Sequence, residues 1–235
     1  MFKSRRTIAM VLALIVSMGL SVYGTLAYLS DNEQVVNTFT VGKVDITLDE
    51  TKVDIDGQPT GETERVKSNE YHLLPGHSYV KDPTVTVKAG SEESYIRAIV
   101  TLNKLSEITA IPSLGGEDFL PENFVTGWDR NIWIPTAVAK DEAANTVTYE
   151  FRYHKTVDAK DAAEDIVLEP LFQTIEIPGE ITGDELATLS ELEVVVNGHA
   201  IQSYSFADAN EAWAAFEAQA PTTVSETPAD EPLVP

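Results

Sequence analysis

The chain contains no cysteine, so no disulfide bond can stabilise it. It is also poor in basic residues, with 16 Lys and Arg against 38 Asp and Glu and a formal net charge of −22. Without disulfides, stability has to come from a buried hydrophobic core, which a single domain of about 190 residues can build. A strongly negative surface repels phosphate backbones, which excludes nucleic acid as a partner.

Three of the 16 basic residues lie at the start of the chain, where acidic residues are missing. Lys3, Arg5 and Arg6 precede an apolar run over residues 7–23, and the first acidic residue is Asp31. A charged start followed by an apolar run is typical of a signal peptide. We therefore predict export.

A small-x-small pattern follows the apolar run. Thr25 and Ala27 fit the pockets of signal peptidase, which predicts cleavage after Ala27 and a mature chain that begins at Tyr28. The alternative is an uncleaved anchor, because the run approaches the roughly 18 to 20 residues that span a bilayer. Signal peptidase is thus a predicted partner during export, and membrane contact is expected only through the uncleaved segment.

Most of the sequence after residue 43 alternates between apolar and polar residues with a period of two, which predicts β-strands. The dipeptide Asn197-Gly198 suits a type I′ turn and predicts a hairpin between residues 192–196 and 200–204. Together these patterns predict an all-β fold, an antiparallel jelly-roll-like β-sandwich. The alternating segments are 44–48, 85–87, 96–102, 147–153 and 192–196.

Helical signals are few. Asp208 and Glu211 have the spacing of a capping box before a short apolar stripe, and residues 117–124 predict a helical loop. The proline-rich, acidic C-terminal end is too polar to bury a core and is predicted to be disordered. We expect four parts: a signal peptide (1–27), an N-terminal segment (28–43), a sandwich domain (44–219) and a tail (220–235).

Motifs that carry catalysis are missing. The histidines form no His-Glu-x-x-His motif, and no Gly-x-Ser-x-Gly is present. Asp54-Ile-Asp-Gly57 resembles the start of a calcium loop but lacks the later ligands of an EF-hand, so we predict a turn. We predict no catalytic residue, no cofactor and no metal site, with weak calcium binding by the acidic surface as the one exception. The histidines are His72, His77, His154 and His199.

The region around the cleavage site resembles a known family. Gly24-Thr-Leu-Ala-Tyr-Leu-Ser-Asp31 and Asn37-Thr-Phe-Thr-Val-Gly-Lys-Val-Asp-Ile46 are similar to the N-termini of the TasA/camelysin group, which have SipW-type signal peptides. This group contains biofilm-matrix and spore-coat-associated proteins of Gram-positive bacteria. Further similarity to the group lies in segments 74–85, 171–178, 200–206 and 211–213.

The resemblance implies a secreted structural protein of the extracellular matrix or cell surface that assembles into fibres. In such fibres the N-terminal segment pairs as a donor strand in the next subunit, so the implied partner is a second copy of this chain. Residues 28–38 are the expected donor region. The apolar residues assigned to the assembly strand are Leu29, Val35, Val36 and Phe39.

Two other functions stay open at this point. Camelysins are also described as metallo-endopeptidases, although no zinc motif of this chain can be assigned to such an activity. A monomeric surface adhesin or carbohydrate-binding module would use the same sandwich, and it would need an exposed aromatic platform. The candidate rings are Trp128, Trp133 and Tyr153.

Overall fold

The protein is described by a computed structural model over residues 43–61 and 64–219. The predicted tail, residues 220–235, lies outside the described residues. The described part of the chain forms eleven strands. They are β1 (Ile46–Thr51), β2 (Arg65–Val66), β3 (Ser78–Val80), β4 (Thr84–Val87), β5 (Ser94–Asn103), β6 (Val125–Thr126), β7 (Trp133–Asp141), β8 (Thr146–Tyr153), β9 (Ile166–Val167), β10 (Thr174–Glu176) and β11 (Val194–Gln202).

These strands form three sheets in which every pairing is antiparallel. Their orders are β11-β5-β8-β7, β2-β1-β4-β9 and β3-β10-β6. The predicted all-β antiparallel sandwich is therefore confirmed.

The helical segments are short. Three are α-helices: α1 (Leu105–Ala110), α2 (Gly183–Thr188) and α3 (Ala209–Gln219). Three more are 3₁₀ turns at Pro112–Leu114, Gly116–Asp118 and Pro121–Asn123, which confirms a helical loop near residues 117–124. Asp208 begins α3 as predicted, because its Oδ1 accepts a hydrogen bond from the backbone N–H of Glu211 at 3.0 Å.

The core lies between the sheets and follows the period-two pattern. Alternate residues of β5 and β8 turn inward and are buried, while their neighbours face outward. The buried residues of these two strands are Ile96, Ala98, Val100, Leu102, Val147, Tyr149, Phe151 and Tyr153. Facing them are Tyr79, Val85, Val87 and Ile175 from the other two sheets.

The hairpin predicted at Asn197-Gly198 is wrong. β11 continues through both residues and pairs with β5 along its whole length, from Val194 opposite Leu102 to Gln202 opposite Ser94. Nine consecutive pairs with a ten-residue neighbour outweigh a local turn preference. Gly198 lies where β11 packs on the facing layer, and a Cβ there would make an ordinary van der Waals contact with Val85 Cγ2 at 3.5 Å.

Candidate functional site

The edge of β1 that faces away from β4 is the first feature of the candidate site. The carbonyl of Asp45 accepts a hydrogen bond from Lys88 N–H on the β4 side at 2.9 Å. Backbone groups alternate along an antiparallel strand, so those of Ile46 and Leu48 face the opposite edge. Among the described residues, β2 pairs with this edge only at Glu50 and Thr51. The first four residues of β1 thus have an edge without a partner strand in the described part of the chain.

An open groove lies beside this edge. One wall is β1, the other is β11 with the chain that leads into it, and residues 67–73 line one end. β11 also has an outward edge, since it pairs only with β5 among the described strands. The floor is apolar, and its side chains pack partly against the core. They are Ile46 and Leu48 from β1, Leu186 and Leu192 from the α2 region, and Val194 and Val196 from β11.

Polar side chains cover part of the groove edge. The ammonium group of Lys67 donates to the carbonyl of Leu48, one of the outward-facing groups of β1. Arg65 forms ion pairs with Asp49 and with Asp82, and the Arg65–Asp82 distance is 3.0 Å. Although burial alone lowers the pKa of Arg65, the hydrogen bonds and charges of these two carboxylates raise it overall. The exposed side chain of Lys67 thus occupies one carbonyl group on the unpaired part of the β1 edge.

A buried ion pair lies at one end of the groove. Glu50 and Lys81 are only 4% and 8% exposed, and Lys81 Nζ donates to Glu50 Oε2 at 2.6 Å. Asn69 Nδ2 donates to the other carboxylate oxygen, Oε1, at 2.9 Å. The ring of Tyr71 lies 5.8 Å from Lys81 Nζ, and burial, followed by the charge of Glu50, raises the pKa of Tyr71. No sequence motif indicated this cluster, because its members come from three separate segments.

A second buried charge lies in the β11-β5-β8-β7 sheet, against α3. The guanidinium of Arg97 lies 4.4 Å from the ring of Trp213 and forms ion pairs with Glu150 and Glu217. His199 accepts a hydrogen bond from Arg97 Nε at 3.2 Å. Burial, and then the charge of Arg97, lowers the pKa of His199. The cluster attaches α3 to the sheet, and His199 lies within β11, opposite Arg97 of β5.

The sequence-predicted processing and assembly residues lie outside the described residues. This applies to the cleavage-site residues Thr25, Ala27 and Tyr28, and to the assembly-strand residues Leu29, Val35, Val36 and Phe39. Their roles remain predictions. The described chain begins at Lys43, three residues before β1.

The four histidines are dispersed. His77 Nε2 lies 2.9 Å from the carbonyl oxygen of Asp56, whereas His199 is at the α3 face. The loop at Asp54 is the predicted turn, because Asp54 Oδ1 accepts from the backbone N–H groups of Asp56 and Gln58. Within residues 43–61 and 64–219, no group of three or more His, Cys, Asp or Glu side chains is placed to hold a metal ion. Over the same residues, no helix is long and apolar enough to cross a membrane.

The three candidate aromatic rings do not form an exposed platform. Trp133 is 1% exposed and Tyr153 is 8% exposed, and their rings pack edge to face at 5.2 Å. Trp128 is half-buried, with Arg130 lying 5.1 Å from its ring centroid. These three rings therefore do not support the alternative of an adhesin or carbohydrate-binding module.

Comparison with known proteins adds one finding. A family model described as camelysin metallo-endopeptidase matches residues 2–66. The match confirms the resemblance to the TasA/camelysin group over that part of the chain, which includes the N-terminal motifs and β1. No curated protein and no solved structure gave a significant match.

Proposed function

We propose that this protein is a secreted structural protein of the extracellular matrix or cell surface, which assembles into fibres by exchanging an N-terminal strand. The free edge of β1 beside an apolar groove is the observation that carries the proposal. An unpaired strand edge is a template for another chain's backbone. Main-chain hydrogen bonds then give affinity, and alternate side chains in the groove give register.

The occupant that we propose for this groove is segment 28–42 of a second copy. Its apolar residues include Leu29, Val35, Val36 and Phe39, which suit the apolar floor. Its fifteen residues extend to roughly 50 Å at about 3.3 Å per residue, whereas the free edge of β1 spans only about 13 Å. The segment is therefore long enough to leave its own subunit and reach the groove of the next.

Processing fits the same proposal. While the signal peptide is attached, the segment is held at the membrane; cleavage after Ala27 releases it. Segment 28–42, which follows the predicted cleavage site directly, is then itself the assembly element. We infer secretion and matrix location on this basis and from the family match.

Deletion of residues 28–38 tests the donor segment. The truncated protein should be a soluble, cooperatively folding monomer that forms no fibres by electron microscopy, and a synthetic 28–42 peptide should inhibit assembly of the full mature chain. Unfolding of the truncated protein would show that the segment is an intramolecular strand. Fibres of normal width from the truncated protein would show that assembly uses another surface.

A matched pair of variants tests the groove. Val196 lies on the groove floor, while Val167 on β9 is exposed and does not line the groove. Val196→Lys should block assembly by placing a charged side chain where the donor strand packs. Val167→Lys adds the same charge away from the groove and should leave assembly intact. Circular dichroism and thermal melting check that both variants fold, and equal fibre yields from the two would refute the groove assignment.

The description of the matched family makes metallo-endopeptidase activity the competing proposal. A catalytic zinc requires about three protein ligands and an open position. We expect no stoichiometric zinc by elemental analysis and no chelator-sensitive proteolysis in highly purified protein. One tightly bound zinc per chain, together with proteolysis lost on chelation, would replace the structural proposal with the enzymatic one.

A further inference from the structure

The buried cluster of Lys81, Glu50 and Asn69 contains the parts of a reactive site. The Glu50 carboxylate bridges the other two side chains, with Lys81 Nζ on Oε2 and Asn69 Nδ2 on Oε1. Lys81 and Glu50 are more than nine-tenths buried. An amine nucleophile, a carboxamide and a shared acid–base group therefore meet in a site with little water.

The orientation of the Asn69 amide is fixed by its neighbours. Its Oδ1 accepts a hydrogen bond from the backbone N–H of Val53 at 3.0 Å, and its Nδ2 also donates to the carbonyl of Thr51 at 2.9 Å. The Val53 N–H can only donate and the Thr51 carbonyl can only accept, so the amide cannot be flipped. The carbonyl oxygen thus points at a donor, and the nitrogen points at the acid–base group.

We propose that Lys81 and Asn69 become joined by an intramolecular isopeptide bond, with Glu50 as the catalytic acid and base. Lys81 Nζ passes a proton to Glu50 Oε2 and attacks the side-chain carbonyl carbon (Cγ) of Asn69. The Nζ–Cγ bond forms, and the Val53 N–H stabilises the negative charge that develops on Oδ1.

The Cγ–Nδ2 bond then breaks. Of the three Nζ protons, one stays on Glu50, one passes through Glu50 to Nδ2, which leaves as neutral ammonia, and the third remains on the new amide. Glu50 ends protonated and neutral, and no oxidant or other co-reactant is required. Removal of two buried charges favours the product, because a buried ion pair is costly to desolvate.

The bond would close the loop from Asn69 to Lys81, which contains β3 and borders the groove. In a chain without cysteine, it would supply a covalent cross-link by another chemistry. This inference does not depend on fibre assembly.

Peptide mapping of the mature protein tests the proposal directly. Residues 68–80 contain no Lys or Arg, so trypsin should release segment 68–88 intact, uncut at Lys81 and lighter by one ammonia. Further cleavage after Glu70 separates Asn69 from Lys81 in sequence. The two pieces should remain covalently joined. A cyclic imide at Asn69 has the same mass loss, but its two pieces would separate, and that result would overturn the proposal. Normal cleavage at Lys81 with no mass loss would also overturn it.

Variants test the assigned roles by intact mass. Glu50→Gln retains both reacting groups, and Lys81→Arg retains a positive charge beside Glu50; in both we expect no ammonia loss. Lys160 pairs with Glu92 at 3.0 Å on the surface, so Lys160→Met is the matched control and should keep the full mass loss. A complete ammonia loss in Glu50→Gln would refute the catalytic role of Glu50.

Discussion

Strand β7 and the first four residues of β1 each have an edge without a partner strand among the described residues, but the two edges differ in how they are protected. β7 contains Pro135, which has no N–H, and a bulge between Pro135 and Ala137 interrupts its register with β8. Every residue of β7 after Trp133 is exposed. β1 has neither proline nor bulge, and it borders an apolar groove.

The difference shows which edge is suited to pairing. Prolines, bulges and charged side chains are means by which proteins prevent edge strands from adding further chains. The outer edge of β7 has a proline and a bulge, whereas the unpaired part of the β1 edge has, among the described residues, the exposed side chain of Lys67 on the Leu48 carbonyl. We therefore interpret β7 as a protected outer edge and β1 as the edge available for assembly.

The largest predicted effect concerns the way in which β7 is attached. Trp133 begins this strand, is buried, and donates from Nε1 to the carbonyl of Glu169 at 2.9 Å. Trp133→Ala should lower the free energy of unfolding by about 3–5 kcal/mol in chemical denaturation, because it leaves a large cavity. Val138 is on the same strand but is 61% exposed, so Val138→Ala should change the free energy of unfolding by less than about 0.5 kcal/mol. Equal losses of stability in the two variants would show that residues along the whole of β7, and not Trp133 alone, attach this strand to the fold.

A smaller loss of stability is expected in the turn that supports the groove end. Gly57 has a φ of +74°, and a Cβ there would lie 2.8 Å from the backbone Cα of Tyr79. Gly57→Ala should lower the free energy of unfolding by about 2–4 kcal/mol, from strain and overpacking combined. Gly61 has a similar φ of +78° but open space around it, so Gly61→Ala should cost only about 1 kcal/mol. Chemical denaturation of both variants separates the two costs, because Gly61→Ala has only the backbone strain and Gly57→Ala has the strain and the Tyr79 contact.

Replacing Pro135 would restore a backbone N–H group to the outer edge of β7 and would make this edge more like that of β1. The Pro135 nitrogen lies on the free side of β7, since the Ile132 carbonyl accepts from His154 N–H on the β8 side and the groups alternate. Pro135→Val should therefore raise the association constant for self-association by about fivefold, the equivalent of about 1 kcal/mol for one hydrogen bond. Analytical ultracentrifugation measures this. An unchanged constant would mean that the bulge alone protects the edge.

The smallest predicted effect is on the pH dependence of α3. The pKa of His199 is lowered by burial and by Arg97, so folding favours its neutral form. The corresponding stability is present above the unfolded pKa of about 6.5 and is lost as the pH falls through the lower folded value. His199→Gln should therefore lose less stability than the parent protein between about pH 7 and pH 5. Thermal melts at several pH values test this, and parallel curves would contradict it.

Acid also acts on the carboxylates around Arg97. Burial alone would raise the pKa of Glu150, but hydrogen bonds from Thr136 and Arg152 and the charges of Arg152 and Arg97 lower it overall. A lowered carboxylate pKa contributes stability above its unfolded value and loses it as the pH falls. In His199→Gln, the remaining acid sensitivity should therefore lie at lower pH than that of the parent protein.

Periodicity predicted the strands that build the core. β4, β5 and β8 lie where apolar residues alternate, because a strand with one buried face must place its apolar side chains at every second position. The capping box at Asp208 also predicted the start of α3, since its contacts are local. A similar capping box at Thr182 and Glu185 begins α2, and its spacing is equally visible in the sequence.

Strand β7 shows the limit of the same method. Its sequence does not alternate, because nearly all of its side chains are exposed on both faces, so burial imposes no pattern on it. It is a strand because β8 pairs with it, as in the register of Val138 with Tyr149. Asn197-Gly198 is the opposite case: its local sequence predicts a turn, but pairing with β5 makes it part of a strand.

Composition and local pattern thus determined the class of the protein: a cysteine-free, acidic chain with an export-like start and an all-β body. Tertiary structure alone decided which strand edge has no partner in the described part of the chain and which side chains meet at the groove end. Glu50, Asn69 and Lys81 lie on three segments up to 31 residues apart, and no spacing rule relates them. The physical reason is that strand pairing brings distant residues together, whereas a sequence pattern reports only which face of its own strand a residue occupies.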